Sequence, residues 1–219
     1  MAMKINKIID LSVTIEPGMA TWPTNPEIVL KDMCTFEKDG YKEEIYSSST
    51  HTGTHLDAPL HMYRQGASVD RIDLSELVQE GYCIRPRVTD NEIHIDAIRA
   101  VWKPEYDGKA ILINTGWDRK RSRTQEWQYG FPGLAEDTVD FFGEHGTKLI
   151  GIDTLGIEPA SHQGFPVHRG LERYGITFIE DMANLHLLEI GKPYLIVALP
   201  LKLRGASGSM ARVIAIDAD

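Results

Sequence analysis

Three histidines and an aspartate fall within the eleven residues His51-Thr-Gly-Thr-His55-Leu-Asp57-Ala-Pro-Leu-His61, in a chain that holds eight histidines in all. This cluster constrains the backbone more than any other stretch. In a straight strand, residues 51 and 55 would stand roughly 13 Å apart at about 3.3 Å per residue, too far for their imidazoles to meet. A helix would bring them together, but Gly53, two threonines and Pro59 argue against one here. A bend at or near Gly53 resolves the conflict, because glycine tolerates backbone angles that other residues avoid. His55 and Asp57 are two apart and so share one face of an extended piece. The expected form is a bent strand or loop that folds His51 back toward His55 and Asp57. Neutral imidazole and carboxylate suit zinc, manganese and related divalent ions, and a mixed set with room for water suits a catalytic site better than a closed structural one. The bland alternative is a polar loop with a buried histidine or two.

A dinuclear centre would need ligands from elsewhere. His162, His168, Glu172 and Glu180 in the second half are candidates, and composition does not choose among them. Glu172 lies in a helical stretch with Arg169 and Arg173, where a solvated, ion-paired face is expected. His94, His145 and His186 fall in polar helix or loop settings and are expected to be exposed and uninvolved.

With 219 residues the chain is long enough for one substantial domain, read as spanning 1–219, and short for two. Lys+Arg 23 against Asp+Glu 32 leaves a net charge of −9, which argues against nucleic acid as a partner. The one basic run, Arg119-Lys-Arg-Ser-Arg123, is expected to be a solvated loop. Cys34 and Cys83 offer neither a disulfide framework nor a thiolate zinc site. The N-terminal residues lack the apolar core of a signal peptide, and there is no uninterrupted apolar run of about eighteen residues. A soluble, cytoplasmic protein without a membrane partner is therefore expected.

Strands are expected over 5–15, 41–49, 82–88, 110–114, 148–153, 194–203 and 211–216, the last two joined by a Gly-Ala-Ser-Gly-Ser loop. Helices are expected over 70–78 with Asp73 as N-cap, over 93–101, and over 134–145 between Pro132-Gly133 and Gly146. Strand, helix and strand from 110 to 153 argue for a parallel βαβ unit, so the class is α/β with a mixed, strand-rich sheet. Asp153 and Thr154 end a buried strand, where a supporting role is expected at most.

The first motif resembles the HxGTHxDxPxH signature of the cyclase superfamily, whose characterised members include bacterial kynurenine formamidase (arylformamidase) and isatin hydrolase. The likeness extends to Asp10-Leu-Ser, Trp22-Pro23, Ala110 to Gly116, Gly151-Ile-Asp-Thr154, Ala198-Leu-Pro-Leu201, Gly205 and Arg212. It implies a three-layer β/β/α swivelling-domain fold. His168 and Glu180 have the twelve-residue separation of the family's late ligands, and Phe178-Ile179-Glu180 is similar to its Ile-Leu-Glu. The resemblance thus implies that His51, His55 and Asp57 bind one metal and that Asp57 and Glu180 bridge to a second held by His168. It leaves His61 as the acid/base and Trp22 as an aromatic substrate contact. It also implies a homodimer or higher homo-oligomer. Two stretches depart from the formamidases, Gly156-Ile157-Glu158-Pro159 in place of Ser-Val-Asp-Pro and Thr24-Asn25-Pro26 in place of Gly-Asp.

The chemistry these residues would support is hydrolysis. Two divalent ions, zinc or manganese, would make hydroxide available near neutral pH for attack on a small amide, formamide or lactam carbonyl such as that of N-formylkynurenine. His61 would carry a proton to the leaving nitrogen. A cyclase or lyase run by the same metals, or a metal-binding protein without turnover, are the competing readings. A passive site has no need of an additional imidazole, so His61 favours an enzyme.

Overall fold

The computed structural model describes residues 4–218, so residues 1–3 of the stretch read for a leader lie outside it. Its strands are β1 (Ile5–Asp10), β2 (Val29–Cys34), β3 (Glu43–Ser47), β4 (His55–Asp57), β5 (Val78–Ile84), β6 (Glu92–Ile93), β7 (Ala110–Ile113), β8 (Gly133–Leu134), β9 (Leu149–Ile152), β10 (Thr177–Glu180), β11 (Pro193–Pro200) and β12 (Gly208–Ala218). Its helices are α1 (Phe36–Asp39), α2 (Leu74–Leu77), α3 (Ile95–Arg99), α4 (Gln125–Tyr129), α5 (Val139–Glu144) and α6 (Pro166–Arg173). Eight strands form one sheet in the order β1-β12-β11-β5-β7-β9-β10-β4, and β4 also pairs with β12, so the sheet closes on itself.

The class is mixed α/β, and the expected parallel unit is present. β5, β7, β9 and β10 run parallel to one another, whereas β11, β12, β1 and β4 join antiparallel. Closure depends on the length of β12. Its start, Gly208–Met210, pairs with β4, and farther along the same edge residues 214–218 pair with β1. A closed sheet has few open edges on which another chain could add.

The central parallel strands β7 and β9 carry no polar side chain and are buried throughout, because both of their faces are covered. Ile84, Ile111, Ile113, Ile150, Ile152 and Phe178 point to one face, where they pack with Ile98 of α3, Phe142 of α5 and Leu171 of α6. The alternate residues Cys83, Ala110, Leu112, Leu149 and Ile179 point into the closed sheet against Ile196, Ala198, Val213 and Ala215. This is the two-residue period of a strand applied twice.

Local expectations differ from the structure where tertiary pairing intervenes. Asp73 caps α2 as expected, accepting from Ser75 N at 2.8 Å. The helix read over 134–145 is α only from Val139, because Leu134 is drawn into pairing with Ile93 and donates to Ile157 O. The strand read from 82 begins at Val78, where it meets β11. The ribbon β2–β3 pairs with neither the closed sheet nor β6–β8, and none of its residues is buried.

Candidate metal centre

β4 lies between β10 and β12, with His55 opposite both Glu180 and Met210, and Asp57 opposite Phe178 and Gly208. This register places Glu180 beside His55 on the face that α6 covers. The turn before β4 is made at Gly53, whose φ is +61°, and it brings His51 back over the strand. The His51 Nδ1 to Asp57 Oδ1 distance is 2.6 Å, and His55 Nε2 lies 3.3 Å from the same oxygen. Two hydrogen bonds hold the segment: Thr54 Oγ1 donates to Asp181 O at 2.6 Å and accepts from Val13 N at 2.9 Å.

The late residues arrive on two elements. Pro166 at the first position of α6 presets the helix, and His168 is carried on its buried face with Val167 and Leu171. His168 Nε2 is 3.3 Å from Glu180 Oε1, while Glu180 Oε2 is 3.5 Å from His55 Nε2. Donor atoms of His51, His55 and Asp57 all lie within 4.8 Å of one another, as do those of Asp57, His168 and Glu180. Asp57 is common to both groups.

Ring orientation is set from behind. His55 Nδ1 donates to Gly53 O at 2.7 Å, leaving Nε2 to face the carboxylates. His168 Nδ1 is held by Glu158, which also accepts from the His168 backbone N–H at 3.0 Å and from Val167 N at 3.1 Å. Histidines that ligate metals commonly give their second ring nitrogen to a carboxylate or a carbonyl in this way. His51 Nε2 faces Ser207 Oγ at 3.0 Å. His162 is turned away from this cluster and joins Glu158 to Glu92.

The charges at the site call for a cation. Burial would raise the Asp57 carboxyl, but hydrogen bonds from His51 and His55 hold it well below the usual carboxylate range. Burial would lower His55 and His168, yet the Asp57, Glu158 and Glu180 carboxylates raise them to about 9 and about 10. Among the described residues no lysine or arginine is ion-paired with Asp57, Glu158 or Glu180. Imidazole and carboxylate donors that converge around buried negative charge fit a divalent ion, which would take the place of the imidazole protons.

His61 ends a single 3-10 turn, Pro59–His61, and its ring lies over His51 with centroids 4.2 Å apart. Its Nε2 is 3.7 Å from Asp57 Oδ2. Burial lowers its pKa, and the charge of Asp57 only partly opposes this. The residues open onto a cavity of about 410 Å³ whose walls include Trp22, Asn25, Leu155, Phe165 and Arg169. Trp22 packs edge-on against Phe131 at 6.5 Å, beside Trp127 and Leu155.

The fold therefore brings His51, His55, Asp57, His61, His168 and Glu180 into one cluster, with Trp22 on its wall. Two expectations need correction. Glu172 is not on a solvated face: it is buried on α6 and accepts from Met62 N at 2.9 Å. Arg121 of the basic run is likewise not solvated: it pairs with buried Asp181 and lies 4.6 Å over the Trp127 ring. Glu158, Arg169 and Ser207 were not singled out as site residues. Glu158 stood in the sequence only as a departure from the formamidase pattern, and its four-residue spacing to His162 was the one available signal.

Residues 9–159 match the Cyclase family, described as "Putative cyclase". A kynurenine formamidase from Salinibacter ruber is 30% identical over 216 residues, which cover 96% of this chain and 98% of that one. A "predicted metal-dependent hydrolase" from Bacillus stearothermophilus superposes with a TM-score of 0.81 at 30% identity, over 99% of this chain and all of the other. Isatin hydrolase A from Labrenzia aggregata shares the fold, with a TM-score of 0.85 at 23% identity over 96% and 93% of the two chains. The family match over residues 9–159 and the Salinibacter ruber relative together show that the chain belongs to the cyclase family.

Proposed function

We propose that this protein is a metal-dependent hydrolase of a C–N bond in a small amide, formamide or lactam, with N-formylkynurenine as the reference substrate. The observation that carries this reading is the pair of donor groups sharing Asp57, with one further imidazole, His61, beside them at the floor of a cavity. His51, His55 and Asp57 would hold one divalent cation, zinc or manganese, and Asp57, His168 and Glu180 would hold a second. When bound, such ions polarise a carbonyl and lower the pKa of water from about 15.7 toward about 7.

The chain's own groups supply the rest. His61 is kept neutral by its burial, so its Nε2 accepts a proton from the attacking water and returns it to the departing nitrogen. Trp22 offers a flat apolar face to an aryl group, and a cavity of about 410 Å³ suits a substrate of that size. Glu158 and Gly53 O keep the His168 and His55 rings turned toward the ions.

The ribbon β2–β3 supports a homodimer as part of the same proposal. It leaves Leu30, Met33, Phe36, Ile45 and Tyr46 exposed, and a two-stranded ribbon is marginal in water without a covering surface. No helix among the described residues is long and apolar enough to cross a membrane. Cys34 and Cys83 are free thiols, consistent with a cytoplasmic location.

The test is metal content of the purified protein, followed by hydrolysis of N-formylkynurenine and of isatin before and after chelation. Turnover that disappears with chelator and returns with zinc or manganese is the expected result. Tightly bound metal with no hydrolysis of any formamide, amide or lactam would refute it.

A further inference from the structure

Glu172 is a buried carboxyl that the chemistry above does not use. It sits one helical turn beyond His168 on α6 and is only 5% exposed. Oε2 accepts from the backbone N–H of Met62 at 2.9 Å, while Oε1 is buried with no hydrogen-bond partner. An apolar side chain would fill such a place at lower cost, since a buried polar atom without a partner is destabilising.

Met62 directly follows His61 and closes its turn. Local backbone bonds shape that turn, with His61 N donating to Ala58 O, Tyr63 N to Pro59 O and Leu60 N to Ala67 O, and the Met62 N–H is shared between Pro59 O and Glu172 Oε2. None of the backbone bonds ties it to the helix that carries His168. Among the described residues, the Met62–Glu172 bond is the one hydrogen bond from residues 59–62 to α6.

We propose that Glu172 is a positioning residue for His61. Through the Met62 N–H it fixes the His61 turn to α6, so that His61 and His168 hold a constant separation, with ring centroids 6.2 Å apart. The inference rests on the acid/base role given to His61. A displacement of about 1 Å in a reacting group can cost on the order of 100-fold in rate, which is the scale of what the tether protects. Glutamine keeps one side-chain oxygen that can accept from the Met62 N–H, as Glu172 Oε2 does, and so reproduces the tether.

The experiment compares Glu172→Gln with Glu172→Met, and with Glu172→Leu if the methionine variant does not fold. In metal-loaded protein, the His61 ring signal in histidine-labelled NMR spectra stays at its wild-type position in Glu172→Gln and broadens or shifts in the apolar variants. The apolar variants lose about 10–100-fold in kcat with KM and metal content unchanged, and Glu172→Gln stays within about twofold of wild type. An unmoved His61 signal in a folded apolar variant would overturn the tether. So would loss of metal along with activity, which would make Glu172 a support for His168 instead. The NMR readout needs no turnover, so failure of the hydrolase assignment would not be mistaken for failure of the tether.

Discussion

Gly208→Ala tests the site's construction without removing any candidate ligand. Gly208 is opposite Asp57 in the β12–β4 pair. A Cβ built there would stand 2.6 Å from His51 Cε1, 3.0 Å from His51 Nε2 and 2.8 Å from Leu56 O. Ordinary carbon contacts are about 3.5–4.0 Å, so roughly 1 Å must be found. The Leu56 carbonyl cannot retreat, because β4 is paired on both sides, and Asn25 Nδ2 holds the His51 backbone carbonyl at 2.6 Å. The His51 ring is the part free to swing, at the expense of its 2.6 Å contact with Asp57 and its 3.0 Å contact with Ser207, while the contact with Leu56 O burdens the metal-bound and metal-free forms alike. Overpacking of one methyl costs about 1–3 kcal/mol. If the bound metal bears that strain, affinity falls about 5- to 150-fold, at about 1.4 kcal/mol per factor of ten. Competition with a chromophoric chelator measures this, and thermal unfolding with and without metal separates site from scaffold. The expected result is a weakened site, with a larger loss of Tm in the metal-bound than in the metal-free protein. Wild-type metal affinity, or an equal loss of Tm in both forms, would refute the argument that His51 absorbs the strain.

Four further outcomes are expected. His61→Ala lowers kcat by about 100- to 10,000-fold while the protein purifies with its full metal content; loss of metal would make His61 a ligand instead. Glu158→Gln weakens metal binding by about 10–100-fold, because His168 loses the carboxylate that orients its ring, and isothermal titration with zinc would measure it. Asp153 governs a pH effect: burial raises its carboxyl to about 6 despite donors from Thr115 and Gly116. Unfolded, it ionises near 3.9, so the folded state holds the extra proton and stability falls as pH rises from about 4 to 6, by about 3 kcal/mol at about 1.4 kcal/mol per pH unit. Metal-free Asp153→Asn should lack that decline relative to wild type in urea unfolding. On the proposed dimer, wild type is expected to elute from gel filtration as a dimer at micromolar concentration and Ile45→Glu on the exposed ribbon as a monomer; a monomeric wild type would refute the dimer.

The bend at Gly53 and the shared face of His55 and Asp57 were legible in the sequence because they follow from spacing over a few residues. The parallel β7–β9 unit was legible for the same reason, as an apolar run of strand length on either side of a helical pattern. Glu172 and Arg121 were misjudged because charge in a helix or loop usually means solvent, and nothing local shows that a distant backbone N–H or a buried Asp181 lies opposite. The late ligands were underdetermined by composition. His162 and His168 are six residues apart, and only the direction of α6 from Pro166 decides which of them faces Glu180.

By itself the sequence determined a mixed α/β chain and one cluster of donors drawn from the segment 51–61, since both rest on backbone preferences that act over one turn or one strand. Tertiary structure alone decided that β4 is gripped between β10 and β12, that Glu180 stands opposite His55, and that Glu158 and Glu172 are buried behind the site. Those relations join residues as far apart as His55 and Met210, and they arise from closing the sheet, a long-range constraint that local pattern cannot carry.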